Sequence, residues 1–590
     1  MTRSTSAGED KDIRRFEEEL ERMRDRLNHL ERQHEFYASL DRRLRDVEAG
    51  VITNRRAVIA IYHSRIWKIL CRAGALLLRL TGRHATPHTR PEIADQQSGP
   101  PDYGVWITRH EPAAEDLERM RRDADRLTVR PRIGIVTPER SPRVLASLAR
   151  QTYPEWDLGV EKAEYVAFLD RDGEMAAFAL WEVVQAIAAD PDADLFYSDE
   201  DAIDEQGGRR DPFFKPGWSP DLLLSCNYVG PFVVMKRWLA DGVSDAPGYE
   251  CLLRASERTQ RIRRIPKVLY HRRAAESTAG ASETCRRALE AYVERHTQGA
   301  RVEQVGTCRY RVRYPVVGEP RVSILIPTAS YENVRRAVEG VLEKTEYPHY
   351  EIVLLDNSGE GRIAEYARQL AGRHAPVRHF DCCGQPFNFA RMNNEAARQE
   401  ASPYLLFLND DTSVITPEWL TAMLEHAQRP EVGAVGAQLW YPNDLIQHAG
   451  VVMGIYGNCS HAFRGLPGGR PQYFDFSNLV RNCSAVTGAC LMVAREKFLA
   501  AGAFDDAHLA VAFQDVDLCL KLLELGYRNV YTPYARLYHY ESASKTEKDK
   551  IPDAAEDAFM KKKWAKYIAD DPYYNPNLTR QKEDFSLAVT

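Results

Sequence analysis

Apolar residues near the start of the chain recur in steps of three and four, at Ile13, Phe16, Leu20, Met23, Leu27 and Leu30. That spacing is a coiled-coil seam and predicts a long helix that pairs with another copy of the chain. The steps restart after Tyr37 at Leu40, Leu44, Val47 and Val51, so one extra three-residue step interrupts the heptads. The plainer alternative is a single helix folded back on its own domain. A second predicted helix places Ile66, Ile69, Leu70, Ala73, Leu76, Leu77 and Leu80 on one face, with Arg65, Lys68, Arg72 and Arg79 mostly off it. Such a basic amphipathic helix suits a membrane interface as well as a protein surface. Turn formers without periodicity follow over 82–101 and read as a linker.

Beyond the linker the pattern repeats. LARQTYPEWDL at 148–158 matches LEKTEYPHYEI at 342–352, an offset of 194, and EYVAFLDRD at 164–172 matches PYLLFLNDD at 403–411, an offset of 239. GPFVVMKR at 230–237 pairs with GACLMVAR at 488–495, and LYH at 269–271 with LYH at 537–539. The preserved order predicts two copies of one domain. The growth of the offset by 45 (239 − 194) leaves the first copy short between its second and third strands.

In the second copy VSILIPT (322–328), EIVLLDNSG (351–359) and YLLFLNDDT (404–412) are β-branched or apolar runs ending in polar turns. Strands alternating with helical stretches predict an α/β domain with a largely parallel sheet, whose ligands bind beyond the carboxyl ends of the strands. Each polar cluster suits part of a nucleoside diphosphate. Asp356 can accept from a base or ribose hydroxyls, and Asn409 and Asp411 offer hard oxygen ligands for Mg2+ or Mn2+. Asp410 falls on the opposite side if the strand persists. Arg391, Asn393 and Asn394 open a predicted helix, where N–H groups and a guanidinium can meet phosphate or sugar. Acids after strands commonly cap turns, but three clusters in this order weaken that explanation. Asp515 and Asp517 open another predicted helix, where capping explains both and a general-base role is the sharper alternative for Asp515. His539 follows a further strand and can complete a metal site.

Composition narrows the class. A chain of 590 residues is too long for one core, and 44% apolar beside 28% charged residues is that of a folded protein. A net charge of −6 gives no electrostatic footprint for nucleic acid. Eleven cysteines without paired metal spacing suit a reducing compartment. The N-terminus has no apolar signal core and no run of eighteen apolar residues occurs, so the expected location is cytoplasmic, with peripheral contact at the inner membrane face through helix 57–82.

These residues resemble the family 2 glycosyltransferases, inverting enzymes of GT-A fold, over about 130–590. IQHAGVVMG (446–454), HAFRG (461–465), SAVTGACLMV (484–493), AFQDVDLCL (512–520) and DPYYNPN (571–577) are similar to a subgroup acting on bacterial surface polysaccharides such as O-antigen. The resemblance implies tandem GT-A (nucleotide-diphospho-sugar transferase, Rossmann-like) domains. The domains would be a coiled coil over 1–56, the amphipathic helix over 57–82, linker and helix over 83–129, a truncated, degenerate copy over 130–311 and a catalytic copy over 312–590. It implies donor contacts at Pro327, Thr328 and Asp356, a metal held by Asn409-Asp410-Asp411 with His539, Asp515 as base, and an acceptor floor at Thr487, Gly488 and Ala489. The partners implied are a dTDP- or UDP-linked sugar, with a lean toward deoxyhexose, and a glycan or lipid-linked acceptor. Three features depart from the family: Asn-Ser-Gly follows Asp356, Asn409 replaces the first metal-motif aspartate, and no Gln-x-x-Arg-Trp motif of processive members follows Asp515.

The first copy lacks the nucleotide-contacting segment and has Pro247 or Gly248 where the base belongs, so its FLDRDGEM (168–175), closer to Asp-x-Asp than NDD is, reads as a decoy. The acids of SDEDAID (198–204) and DPFFKPGWSPD (211–221) are expected to be solvated or capping, with acceptor binding as the alternative. A non-catalytic scaffold organising an assembly complex is the competing function. A sugar nucleotidyltransferase would want a Gly-rich basic loop that PTASYENV does not supply.

Overall fold

The computed structural model describes residues 103–138, 141–171, 173–243, 248–273, 279–384, 386–540 and 553–588. The expected coiled coil, the basic amphipathic helix and Asp172 lie outside them. Within the region expected to be linker and helix, the described part forms two helices, Tyr103–His110 and Ala114–Asp123. Trp106 on the first is buried against Phe214, with ring centroids 5.0 Å apart.

Two large sheets follow, in a mixed α/β arrangement. The first contains β1 (Ile133–Val136), β2 (Trp156–Leu158), β3 (Tyr165–Phe168), β4 (Glu174–Met175), β5 (Leu195–Ile203), β6 (Arg209–Phe213), β7 (Val233–Lys236) and β8 (Ile262–Arg273). Its order is β2-β1-β3-β7-β5-β8-β4, with β6 on β5. A small hairpin, β9 (Arg301–Gly306) and β10 (Arg309–Arg313), leads to the second sheet.

That sheet begins with β11 (Val322–Thr328), β12 (Tyr350–Asp356), β13 (Val377–Asp381), β14 (Tyr404–Leu408), β15 (Thr412–Val414) and β16 (Val432–Trp440). After β17 (Ile446–His448), β18 (Val451–Met453), β19 (Cys459–His461) and β20 (Arg481–Cys483), it is completed by β21 (Cys490–Ala494) and β22 (Arg528–His539). Its order is β13-β12-β11-β14-β21-β16-β22-β15, with β17 on β16 and β20 on β22.

The two orders correspond strand for strand, and so do the directions. In each sheet the first three shared strands are parallel, the fourth is antiparallel to both its neighbours, the fifth and sixth are parallel and the last is antiparallel. β13 at the edge of the second sheet has no counterpart in the first. The sheet is therefore mixed rather than largely parallel as the alternation suggested. The cause is the long excursion from 441 to 489, after which β21 re-enters between β14 and β16 running the other way.

β11 is buried along its whole length, as a central strand covered on both faces should be. One continuous apolar cluster runs from Trp106, Phe214 and Tyr228 beside the first sheet to Phe463, Phe476 and Phe585 beside the second. Polar contacts join the halves as well. Asp221 is buried, pairs with Arg429 at 2.5 Å and accepts from Asn482 Nδ2 at 2.7 Å. Burial would raise the Asp221 carboxyl, but the Arg429 and Arg528 charges outweigh it and hold it well below the usual range. Asn575 in the C-terminal DPYYNPN segment donates to Asp199 at 2.9 Å and to the carbonyl of Lys215 at 2.9 Å.

The expectation of solvated or capping acids holds for Asp211, which is exposed, and for Asp204, which accepts from Gln206 N–H and Gly208 N–H, but not for the other four. Asp199, Glu200, Asp201 and Asp221 are all buried, and each meets a cation or amide: Asn575 and Arg429 from distant segments for Asp199 and Asp221, Lys215 and Arg209 nearby for Glu200 and Asp201. Among the described residues no helix is long and apolar enough to cross a membrane.

Removing one partner of a buried ion pair strands the other charge. Asp221→Ala is expected to lower the unfolding free energy by about 3–5 kcal/mol, read as a fall in the urea midpoint of the full chain.

Candidate active site

The site is assembled by register. β15 pairs with β22 so that Thr412 lies opposite His539, which brings the histidine back onto the turn after β14. β14 ends at Leu408, so the strand does not persist to Asp410 and the condition for placing it on the opposite side is not met. The chain turns there, and Asp410 Oδ2 accepts from Thr328 Oγ1 at 2.7 Å at the end of β11. Burial pushes the Asp410 carboxyl up to about 6, against the lowering effect of that hydrogen bond.

His539 Nδ1 lies 2.7 Å from Gln447 Oε1, so this nitrogen carries the proton. Nε2 then accepts from Asn409 Nδ2 at 3.2 Å and lies 3.0 Å from Asp411 Oδ1. Two acceptors facing each other at that distance suit a cation bound by both. Asn409, Asp411 and His539 therefore fit a hard divalent ion, with the amide oxygen of Asn409 presented after a half-turn of its side chain. No cluster of three or more His, Cys, Asp or Glu side chains suited to a metal occurs among the described residues.

The segment Thr487–Gly488–Ala489 ties this group to the candidate base. Ala489 C=O accepts from Asn409 N–H at 3.1 Å, and Gly488 N–H donates to Asp515 Oδ2 at 2.6 Å. A Cβ at Gly488 would lie 3.2 Å from the Asp515 Cβ, which is why a glycine suits this point. Asp515 enters the helix Gln514–Glu524 through Phe513, whose left-handed φ of 63° turns the chain toward Gly488. Its Oδ1 accepts from Val516 N–H at 2.8 Å. Burial raises the Asp515 pKa despite the backbone N–H groups that pull it down. Asp517 differs: it is fully buried, with Lys563 at 2.6 Å, Lys521 at 3.1 Å and Trp564 Nε1–H at 2.9 Å, an internal tie rather than a cap.

Thr328, Asn409, Asp410, Asp411, Thr487, Gly488, Ala489, Asp515 and His539 thus form one connected group, with Pro327 beside Thr328 on β11. The remaining candidates stand apart. Asp356 is buried with one oxygen accepting from Ser358 N–H and Oγ–H and the other facing His379 Nε2 at 3.0 Å. Asn394 spends its amide on Phe504 and Asp506. Asn393 donates to Phe389 C=O, and its buried Oδ1 has no hydrogen-bond partner. Arg391 donates to Pro386 C=O near the start of the helix Phe389–Gln399.

Two residues enter the site that candidate chemistry did not select, Gln447 and His448 from β17. Buried His448 faces His461 Nδ1 at 2.7 Å and accepts through Nε2 from Gly450 N–H at 3.2 Å. Burial, then the neighbouring His461, drives its pKa well down. Their signal lay in the IQHAG stretch, which periodicity alone marks only as a strand.

A mixed α/β sheet with its polar residues gathered at the strand ends of β11 and β14 defines the class. Within it, residues 323–497 match the family described as glycosyl transferase family 2, so the second half contains a family 2 glycosyltransferase domain. O-antigen biosynthesis protein RfbC of Myxococcus xanthus is 35% identical over 588 residues, covering 87% of this chain and 44% of its own length. The uncharacterized protein y4gI of Sinorhizobium fredii (strain NBRC 101917 / NGR234) is 42% identical over 454 residues, covering 73% of this chain and 50% of its own. The chain spans about half the length of these curated relatives. Among solved structures, GalNAc-T7 with UDP, GalNAc and Mn2+ aligns at TM-score 0.33 and 15% identity over 40% of this chain and 47% of that one. Mannosyltransferase PcManGT from Pyrobaculum calidifontis in complex with GDP-Man and Mn2+ aligns at 0.29 and 17%, over 38% and 58%.

Gln447→Leu would leave the Nδ1–H of buried His539 without its acceptor and should cost about 1–3 kcal/mol of stability. Gln447→Glu restores an acceptor and should recover most of it; denaturant titration of both variants checks this.

Proposed function

We propose that residues 312–590 transfer a sugar, with inversion, from a nucleoside diphosphate donor to a hydroxyl of a glycan or lipid-linked acceptor in bacterial surface polysaccharide synthesis. The observation that carries this reading is Asp515, a carboxylate of raised pKa joined through three backbone positions to the Asn409–Asp411–His539 group. The name of the Myxococcus relative supplies the O-antigen context.

In this reading Asp515 takes the proton of the acceptor hydroxyl, and the oxygen attacks the anomeric carbon from the face opposite the diphosphate. The new carbon–oxygen bond forms as the bond to the diphosphate breaks, which inverts the centre. A proton affinity above that of an ordinary aspartate makes Asp515 a better base near neutral pH. Asn409, Asp411 and His539 would hold Mg2+ or Mn2+, which when bound neutralises the charge developing on the departing nucleotide. Pro327 and Thr328 form the donor floor, with Thr328 fixing Asp410. Arg391, Asn393 and Asp356 are assigned to the donor side, and Thr487, Gly488 and Ala489 to the acceptor side.

We infer further that the two sheets are copies of one domain and that the first, without β13 and its flanking helices, is non-catalytic. The shared strand order and direction support this reading.

Asp515→Asn keeps an oxygen for Gly488 N–H but cannot take a proton. Nucleotide release from a panel of nucleoside diphosphate sugars should fall roughly 10²–10⁴-fold, while the donor-induced thermal shift persists. Near-wild-type turnover would remove Asp515 from the mechanism. No release and no shift with any donor, with Mg2+ or Mn2+ present, would favour the scaffold reading.

A further inference from the structure

The first half keeps a cavity where the second half has its site. It has a volume of about 720 Å3 and is lined by Asp170 at the end of β3, by Gly248, and by Arg272 and Arg273 at the end of β8. By strand correspondence Asp170 stands where Asn409 stands, and Gly248 opens the helix (Gly248–Arg258) that corresponds to the one carrying Asp515. The arginines follow His271 as Tyr540 follows His539. The cavity has thus lost the base position and gained guanidinium groups.

Three of them line it, Arg210, Arg272 and Arg273, against two carboxylates, Asp170 and Asp211. Asp170 is engaged by Tyr270 O–H and by Gly173 N–H at 2.7 Å. Asp211 lies 3.7 Å from Arg210 Nε. Arg272 pairs with Glu200, Nε to Oε1, at 2.6 Å, yet its buried Nε has no hydrogen-bond partner. Arg273 is fixed by Glu174 at 2.9 Å and by the carbonyl of Asp204, and its buried Nε has no hydrogen-bond partner. Asn227 accepts from Gly230 N–H through Oδ1, which leaves its Nδ2 donors for the cavity. Pro212, Pro231 and Phe474 supply an apolar wall. Forked donors on one side and apolar surface on the other, in a volume typical of small-ligand sites, match an ester of a diphosphate.

We propose that this cavity binds a diphosphate ester without a metal ion and without chemistry, giving the protein a second ligand site. The proposal rests on reading the two sheets as copies. The shared chemistry has two sources, a nucleoside diphosphate or the prenyl diphosphate head of a lipid-linked glycan.

The test is calorimetric titration of the full chain in EDTA with inorganic pyrophosphate, a nucleoside diphosphate and farnesyl diphosphate. Saturable binding is expected, weakened at least tenfold in Asn227→Asp, which keeps the oxygen for Gly230 and turns a donor into an acceptor. Arg210→Glu should do the same, and because the Arg210 side chain is largely exposed the fold should tolerate the change. The tighter of the two esters identifies the source. No saturable binding, or equal affinity in wild type and both variants, overturns the proposal. These titrations read no turnover, so their failure beside an active Asp515-dependent transferase would sink the second site alone. Binding here without transfer would sink the catalytic reading alone.

Discussion

Gly488 donates its N–H to Asp515 while the carbonyl of the next residue, Ala489, accepts from Asn409. These two bonds fix the distance between Asp515 and the end of β14, and the connected polar group of the second half is arranged around them. The backbone N–H groups and the positive end of the helix Gln514–Glu524 stabilise the Asp515 anion, whereas burial opposes it. Burial wins, since the net effect is a raised pKa. A carboxylate held this way stays in place without a neighbouring lysine or arginine, whose charge would reduce its basicity. The contrast is Asp517, two residues on, where Lys521, Lys563 and Trp564 take up the carboxylate. Position on one helix separates a group available for reaction from one spent on structure.

The second constraint is the join between the halves. Buried acids are costly unless each meets a partner, and two of those in the first half meet theirs across long sequence separations. Asp221 reaches Arg429 and Asn482, and Asp199 is met by Asn575 from the C-terminal segment. The same segment anchors Asp571, which accepts from Met453 N–H and Ser484 Oγ–H beside the excursion that supplies Gln447 and His448. A perturbation at the DPYYNPN segment would therefore reach both sheets.

Much of this was legible in the sequence because strands and their polar ends are local signals. The repeat offsets located the shortfall, and the structure has β13 with its flanking helices in that interval of the second half. Asn409, Asp411 and His539 were visible as an amide, an acid and a histidine after apolar runs, and Asp515 as an acid opening a helix. What local pattern could not supply was partnership. Whether an acid is solvated, capped or buried in a pair depends on residues hundreds of positions away, as with Asp199 and Asn575. Likewise the mixed direction of the sheet follows from where β21 re-enters after the 441–489 excursion, which periodicity does not encode. Asp356 shows the ambiguity from the other side, since its place at a strand end suits a ligand, yet Ser358 and His379 already occupy its oxygens.

The position of the missing interval explains why the first half can lack it and still fold. β13 is the outermost strand of its sheet, so a sheet without it loses one edge pairing and no interior ladder. In the first half the exposed edge falls to β2, only three residues long, which limits the unpaired backbone available for association with another chain. The strands that carry the core, β1, β3, β5 and β7, keep the same neighbours as their counterparts. A sheet without that edge strand and its flanking helices still keeps its other strand ends standing, and a cavity over those ends is lined by the side chains found there.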